Sequence, residues 1–113
     1  MAGTNRDIHE ACKAGDTEEV ERLISTGVDV NKKNNYGDTP IHRAAMEGHT
    51  DTVKLLLDRG ANIEVKNNDG VTPIYLAAGY SQRDAVKLLL SAGANPQIAD
   101  DDGKTARDLD STG

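Results

Sequence analysis

Three histidines are the residues of this 113-residue chain best suited to metal ligation. His42 and His49 are seven residues apart, and His9 lies far upstream. Zinc sites need three or four ligands at recognisable spacings, and no Cys or carboxylate completes such a spacing around these histidines. The sequence therefore predicts no metal site and no cofactor.

Cys12 and His9 are the second candidate pair, because an imidazole beside a thiol is how many cysteine nucleophiles are activated. The two are three residues apart on one short predicted helix. No third group orients the imidazole, and no oxyanion hole is evident. We therefore expect a buried, inert thiol and no catalytic residue. A single Cys cannot form an internal disulfide, which fits a reducing compartment.

An acidic run, Asp100 to Asp102, could attract a cation. It lacks the glycine and terminal Glu spacing of a calcium loop. It also falls in a turn, where water solvates charge readily. We interpret the run as a solvated acidic turn.

Composition narrows the class of partner. The formal net charge is -6, and no Lys/Arg cluster interrupts this negative charge, so nucleic acid is an unfavourable ligand. The first ten residues have no apolar leader region, and no apolar run approaches the roughly 20 residues of a membrane span. We expect a soluble, intracellular chain in the cytoplasm, with the nucleus as the alternative. Without Phe or Trp, its core must consist of Leu, Ile, Val and Ala in thin layers.

The elements that position these residues follow from an internal repeat. Residues 35–67 and 68–100 align without a gap and are identical at 16 of 33 positions. The same period extends upstream through Ile8 and downstream to Gly103 and Thr105. The chain is therefore an array of about four similar units.

Each unit has the pattern of a helical hairpin. In the second unit, Thr39 is placed as a helix N-cap and Pro40 as the first helical residue, and Gly48 ends that helix. A second helix carries apolar residues at i, i+3 and i+4 from Val53 and ends at Gly60. Helices are predicted at 6–14 and 17–25, 40–47 and 50–58, 73–80 and 83–91, with a short helix near 105–109.

The segments "TPIHRAA" and "TPIYLAA", at a period of 33, resemble the ankyrin repeat family. The resemblance implies an all-α solenoid of about four helix-turn-helix units linked by β-turn or hairpin loops. It implies a single domain over residues 1–113. The expected divisions are a divergent N-terminal capping repeat at 5–34, full repeats at 35–67 and 68–100, and a truncated C-terminal repeat at 101–113.

The same resemblance gives individual residues a role. It implies that His9 and His42 hydrogen-bond the loop backbone and tie adjacent units together, while Tyr75 replaces the motif His in the third unit. Asn31 follows an Asp and an apolar residue, as do Asn residues that an asparaginyl oxygenase hydroxylates in ankyrin repeats. It is a candidate modification site, and its alternative role is that of a turn-forming residue.

Function must lie in the positions that differ between units, because stacking already explains the shared ones. The resemblance implies a non-catalytic protein-interaction module that binds through its turn tips and the concave face of the first helices. Tyr36, Met46 and Tyr80 are predicted as anchors within an acidic rim that favours a protein partner with a basic surface, and the chain is expected to be a monomer. The alternatives are a regulatory or ligand-binding appendage of a larger enzyme or assembly, or an engineered or excised scaffold. The predicted protein-binding residues are Tyr36, Asp38, Met46, Glu47, Asp69, Val71, Tyr80, Asp102 and Lys104.

Overall fold

The structure, a computed structural model, describes residues 7–106. Within this range the chain forms six α-helices and no strand, which confirms the all-α prediction. The helices come in three consecutive pairs, one pair per unit. They are α1 Ile8–Ala14, α2 Thr17–Ser25, α3 Pro40–Met46, α4 Thr50–Asp58, α5 Pro73–Gly79 and α6 Arg83–Ser91.

The first helix of each unit begins at a polar cap. Thr39 and Thr72 are in extended backbone, and the proline after each occupies the first turn, where a missing N–H costs nothing. In α1 the cap is Asp7, whose side chain accepts a hydrogen bond from the Glu10 N–H at 2.9 Å. This helix therefore begins at Ile8, two residues later than predicted. The predicted ends of α3 and α5 are each one residue too long.

Packing divides the helices into two layers. The inner helices, α1, α3 and α5, lie side by side, and the outer helices, α2, α4 and α6, form a second row behind them. Small side chains such as Ala11, Ala44 and Ala77 are fully buried in the inner layer and allow close helix approach. Larger side chains, including Leu56 and Leu89, fill the space between the layers.

The array has turn tips at residues 34–38, 67–71 and 100–104. The first two precede α3 and α5, and the third is the aligned segment one period later. In the first, the Asn34 side-chain oxygen accepts hydrogen bonds from the N–H groups of Tyr36 and Asp38. Successive tips are bonded to one another, since the Asn68 N–H donates to the Tyr36 carbonyl at 3.0 Å. Gly37 is required there, because its φ is 77° and a Cβ would lie 2.8 Å from the Asn68 backbone nitrogen.

Some predictions fall at the limits of the described range. Residues 5 and 6 of the predicted capping repeat lie outside it, and so do 107–113 of the predicted C-terminal repeat, which include 107–109 of the predicted short helix near 105–109. Within 7–106 no helix is both long and apolar enough to cross a membrane.

Candidate protein-binding surface

His42 joins the second unit to the third. Its Nδ1 accepts a hydrogen bond from the Thr39 N–H at 3.0 Å, and its Nε2–H donates to the Val71 carbonyl at 2.7 Å. The ring is fully buried, and burial lowers the pKa of His42, although the bond to Val71 opposes this shift. The neutral imidazole therefore acts as a structural link between turn tips.

The residues aligned with His42 in the other units also form hydrogen bonds to loop groups. The His9 Nε2–H donates to the carbonyls of Lys32 at 2.7 Å and Asp38 at 3.1 Å. In the third unit the Tyr75 hydroxyl reaches the Asp100 carboxylate at 2.5 Å. The predicted tie between adjacent units is therefore present for His9 and His42, and Tyr75 makes it with a side-chain acceptor.

His49 forms a second kind of link, at the other end of the inner helices. Its Nε2–H donates to the Lys13 carbonyl at 2.9 Å, and Gln82, one period later, donates to the Met46 carbonyl at 3.0 Å. Both side chains thus join the start of an outer helix to the inner helix of the preceding unit. Among residues 7–106, no cluster of three His, Cys, Asp or Glu side chains is placed to hold a metal ion.

Cys12 is fully buried on α1. Burial, with the Asp7 carboxylate adding to the effect, raises the pKa of the Cys12 thiol to about 12. A thiol with that pKa is protonated at neutral pH, and the His9 Nε2–H is already committed to backbone carbonyls. The geometry does not provide an activated nucleophile.

The three carboxylates of the acidic run, Asp100 to Asp102, have different roles. The Asp100 carboxylate accepts hydrogen bonds from the Tyr75 hydroxyl and from the N–H groups of Asp102 and Lys104. The hydrogen bond from Tyr75, above all, lowers the pKa of Asp100. Asp101 and Asp102 are exposed. Asp100 is therefore a turn-forming residue, and its two neighbours carry solvated charge at the tip.

A shallow polar hollow of about 240 Å³ lies between the first two units. The Thr17 and Thr52 hydroxyls that line it are hydrogen-bonded to each other at 2.8 Å, and the His49 Nε2–H is bonded to Lys13. These three lining groups already have partners, so they are not available to hold a small ligand in the hollow.

Within residues 7–106, the inner helices contact one another and the outer helices but no helix on their opposite side, and we call this side, with the turn tips, the inner face. It consists of the tip residues Tyr36, Asp69 and Asp102 and the uncovered side of the inner helices. Tyr36 is 71% exposed and Tyr80, which follows α5, is 58% exposed. Tyr36 lies before an inner helix and Tyr80 after one, so the two tyrosines mark opposite ends of the face.

The other predicted binding residues are placed in different ways. Asp69, Asp102 and Lys104 are exposed, and Met46 and Glu47 are half-buried. Asp38 and Val71 do not fit the prediction of surface contacts, because they are only 8% and 7% exposed.

Asp38 and Val71 are buried because each is the last residue of a turn tip and leads into an inner helix. The Asp38 carboxylate accepts a hydrogen bond from the Asn67 amide at 2.8 Å, and the Val71 carbonyl accepts from His42. Their side chains are therefore excluded from the binding surface proposed below.

Two residues of the inner face were not predicted from the sequence. Arg43 and Leu76 are half-buried, and each lies four residues before a position predicted to belong to the face, Glu47 or Tyr80. Neither Met46 nor Leu76 is among the described half-buried side chains that pack on the core. Two features of the sequence could have identified them. Glu10, Arg43 and Leu76 occupy aligned positions but differ in charge and polarity, and their helical spacing places them beside the predicted face residues.

Asn31, the candidate modification site, is half-buried in a loop behind the turn tips. Its side-chain oxygen accepts a hydrogen bond from the Asn62 N–H at 2.9 Å. One period later, the Glu64 carboxylate accepts from the Asn95 N–H at 2.8 Å. The Asn31 side chain thus joins consecutive loops, and its hydroxylation remains a prediction.

Comparison with known families yields one match. A family model described as ankyrin repeats, in three copies, matches residues 8–106. No curated protein matches the chain.

Proposed function

Because the chain belongs to the ankyrin repeat family, whose members generally mediate protein–protein interactions, we propose that it is a non-catalytic module that binds a protein partner on its inner face. The observation that carries this proposal is the exposure of Tyr36 and Tyr80. They are two of the three large apolar side chains that are exposed within residues 7–106. Neither is needed to bury the core.

The chemistry of these side chains suits an interface. Tyr combines a broad apolar ring with a hydroxyl that bonds to a partner or to water, and Tyr and Met are enriched in interface cores. Tyr36 and Tyr80, with Met46 on the same face, serve as anchors. Glu47, Asp69 and Asp102 surround them with negative charge, which steers a partner with a basic surface and speeds its association at low salt.

The test compares capture of partners by the intact chain and by single variants. The immobilised chain captures proteins from a lysate, captured proteins are cross-linked and identified by mass spectrometry, and their affinity is then measured. We expect Tyr36→Ala and Tyr80→Ala each to weaken binding at least tenfold, because truncating a true hot spot costs ~2 kcal/mol or more.

The matched controls are Lys54→Ala and Lys87→Ala, which change exposed side chains on the outer helices. All four variants are first shown to be folded by thermal melting. The proposal fails if the two lysine changes abolish capture while the two tyrosine changes leave it intact.

A further inference from the structure

The inner face changes character from one end of the array to the other. Three aligned positions in or directly after each inner helix lie on this face. Two of the three are charged in the first unit and in the second, whereas none is charged in the third. The residues are Glu10, Lys13 and Ala14; Arg43, Met46 and Glu47; and Leu76, Gly79 and Tyr80.

The third unit therefore presents an apolar site with a gap in it. Leu76, Gly79 and Tyr80 are spaced i, i+3 and i+4, so they share one side of the helix. Gly79 is exposed and has no side chain, while Met46 fills the aligned position of α3. Gly79 therefore leaves one position between Leu76 and Tyr80 without a side chain, and we call this position the gap at Gly79.

The turn tips show a parallel change in charge. Lys32 and Lys33 precede the first tip and Lys66 precedes the second, whereas Ile98 and Ala99 precede the third. The third tip carries the exposed carboxylates of Asp101 and Asp102.

The exposed Asp69 adds to this charge, because the Asp101 N–H donates to the Asp69 carbonyl at 3.1 Å and so brings the two tips together. Lys104 contributes one positive charge to the third tip, against the three exposed carboxylates of Asp69, Asp101 and Asp102. A cationic group is therefore favoured at this end of the third unit.

We infer that the third unit binds an extended peptide segment of a partner in which Lys or Arg is separated by about three to five residues from a large apolar side chain. The cation lies at Asp69, Asp101 and Asp102, and the apolar side chain fills the gap at Gly79. The spacing follows from the seven residues of α5, since a helix rises about 1.5 Å per residue and an extended chain about 3.3 Å. This inference rests on the proposed function and specifies its partner.

The experiment uses defined peptides as the probe. Random nine-residue peptides displayed on phage are selected against the full chain, and the enriched peptides are synthesised with a fluorescent label and titrated by anisotropy. We expect enrichment of Lys or Arg three to five residues from Leu, Ile, Met, Phe or Trp. Enriched peptides without this pairing overturn the inference, and so does the failure to enrich any peptide.

Two variants test the two halves of the site. The double change Asp101→Asn with Asp102→Asn is expected to weaken peptide binding about threefold to tenfold at low salt, and to reduce its salt dependence. Gly79→Met is expected to weaken binding at least tenfold, because it fills the gap with the side chain that α3 already carries. Unchanged binding by both variants overturns the inference.

The matched control is Asp51→Asn with Asp84→Asn, which removes the same charge from exposed positions in the first turns of α4 and α6. It is expected to leave peptide affinity within about twofold of the intact chain. An equal loss in the control overturns the assignment to the third tip. The proposed function fails separately, through the capture test with Tyr36→Ala and Tyr80→Ala.

Discussion

At the scale of single residues, His42 makes stability depend on pH. Burial holds its pKa in the folded chain below the ordinary value of 6.5. As pH falls, the unfolded chain therefore binds this proton first, and the folded state loses free energy relative to it. The contribution of His42 is complete above pH 6.5 and is lost as pH decreases toward the folded pKa.

We expect the free energy of unfolding to fall below pH 6.5 by at most about 1.4 kcal/mol per pH unit from this group. His42→Gln, which retains an N–H donor for the Val71 carbonyl, removes the titration. Urea unfolding between pH 7.5 and 5.0 should therefore show a steeper loss for the intact chain than for the variant. If the free energy of unfolding depended on pH equally in the two proteins, the attribution of this pH dependence to His42 would be wrong.

A second residue-scale feature is the backbone at Ser81, whose φ of 58° is the one positive value among the described non-glycine residues. The aligned residue in the second unit is Gly48, with a φ of 75°. A side chain in the left-handed region costs free energy that glycine avoids.

Ser81→Gly is therefore expected to raise the free energy of unfolding by about 0.5–1 kcal/mol. The matched change is Ser91→Gly, at the end of α6, which should lower it because glycine disfavours helix. Urea denaturation of the three proteins measures both effects. A Ser81→Gly variant less stable than the intact chain would contradict the strain argument.

At the scale of the helices, stability depends on the contact between neighbouring units. Leu56 on α4 is fully buried, and α4 packs between α2 and α6. Leu56→Ala leaves a cavity in this layer, and we expect a loss of about 2–5 kcal/mol, enough to unfold so small an array. The control is Leu90→Ala on α6, which is 46% exposed and should cost less than about 1 kcal/mol. Denaturant midpoints that shift equally would rule out Leu56 as a central packing residue.

The helices were predictable because their signals are local. Thr39 with Pro40 marks a helix start, and the apolar spacing from Val53 marks an outer helix. Side-chain exposure in the turn tips depends on contacts between units, which a sequence pattern does not specify. Asp38 is buried because Asn67, in the next tip, donates to its carboxylate.

The binding face was only partly predictable for the same reason. Tyr36 and Tyr80 are exposed, and their role in binding stays a proposal. Leu76 was missed because an apolar residue in a helix is usually assigned to the core. Leu76 does not pack on the core, and this is apparent only from the way α5 packs against α3.

At the scale of the whole molecule, shape and charge bear on the oligomeric state. The array measures 48 × 25 × 21 Å over its described residues, so it is elongated along the stack. Its exposed large apolar side chains in that range are Tyr36, Tyr80 and Leu90, which lie on different elements. They do not provide the extensive apolar surface that a stable dimer buries. The net charge of -6 adds repulsion between copies.

We therefore expect a monomer in solution. Light scattering on a size-exclusion column should give a mass of 12.1 kDa that is constant over a tenfold range of protein concentration. Scattering is required because an elongated monomer elutes earlier than a compact protein of equal mass, so that elution volume alone mimics a dimer. Raising the salt concentration screens the repulsion between copies, yet it should not produce dimers, because residues 7–106 expose only three large apolar side chains. A mass near twice the monomer value at low salt would contradict the prediction and show that copies associate despite their charge repulsion.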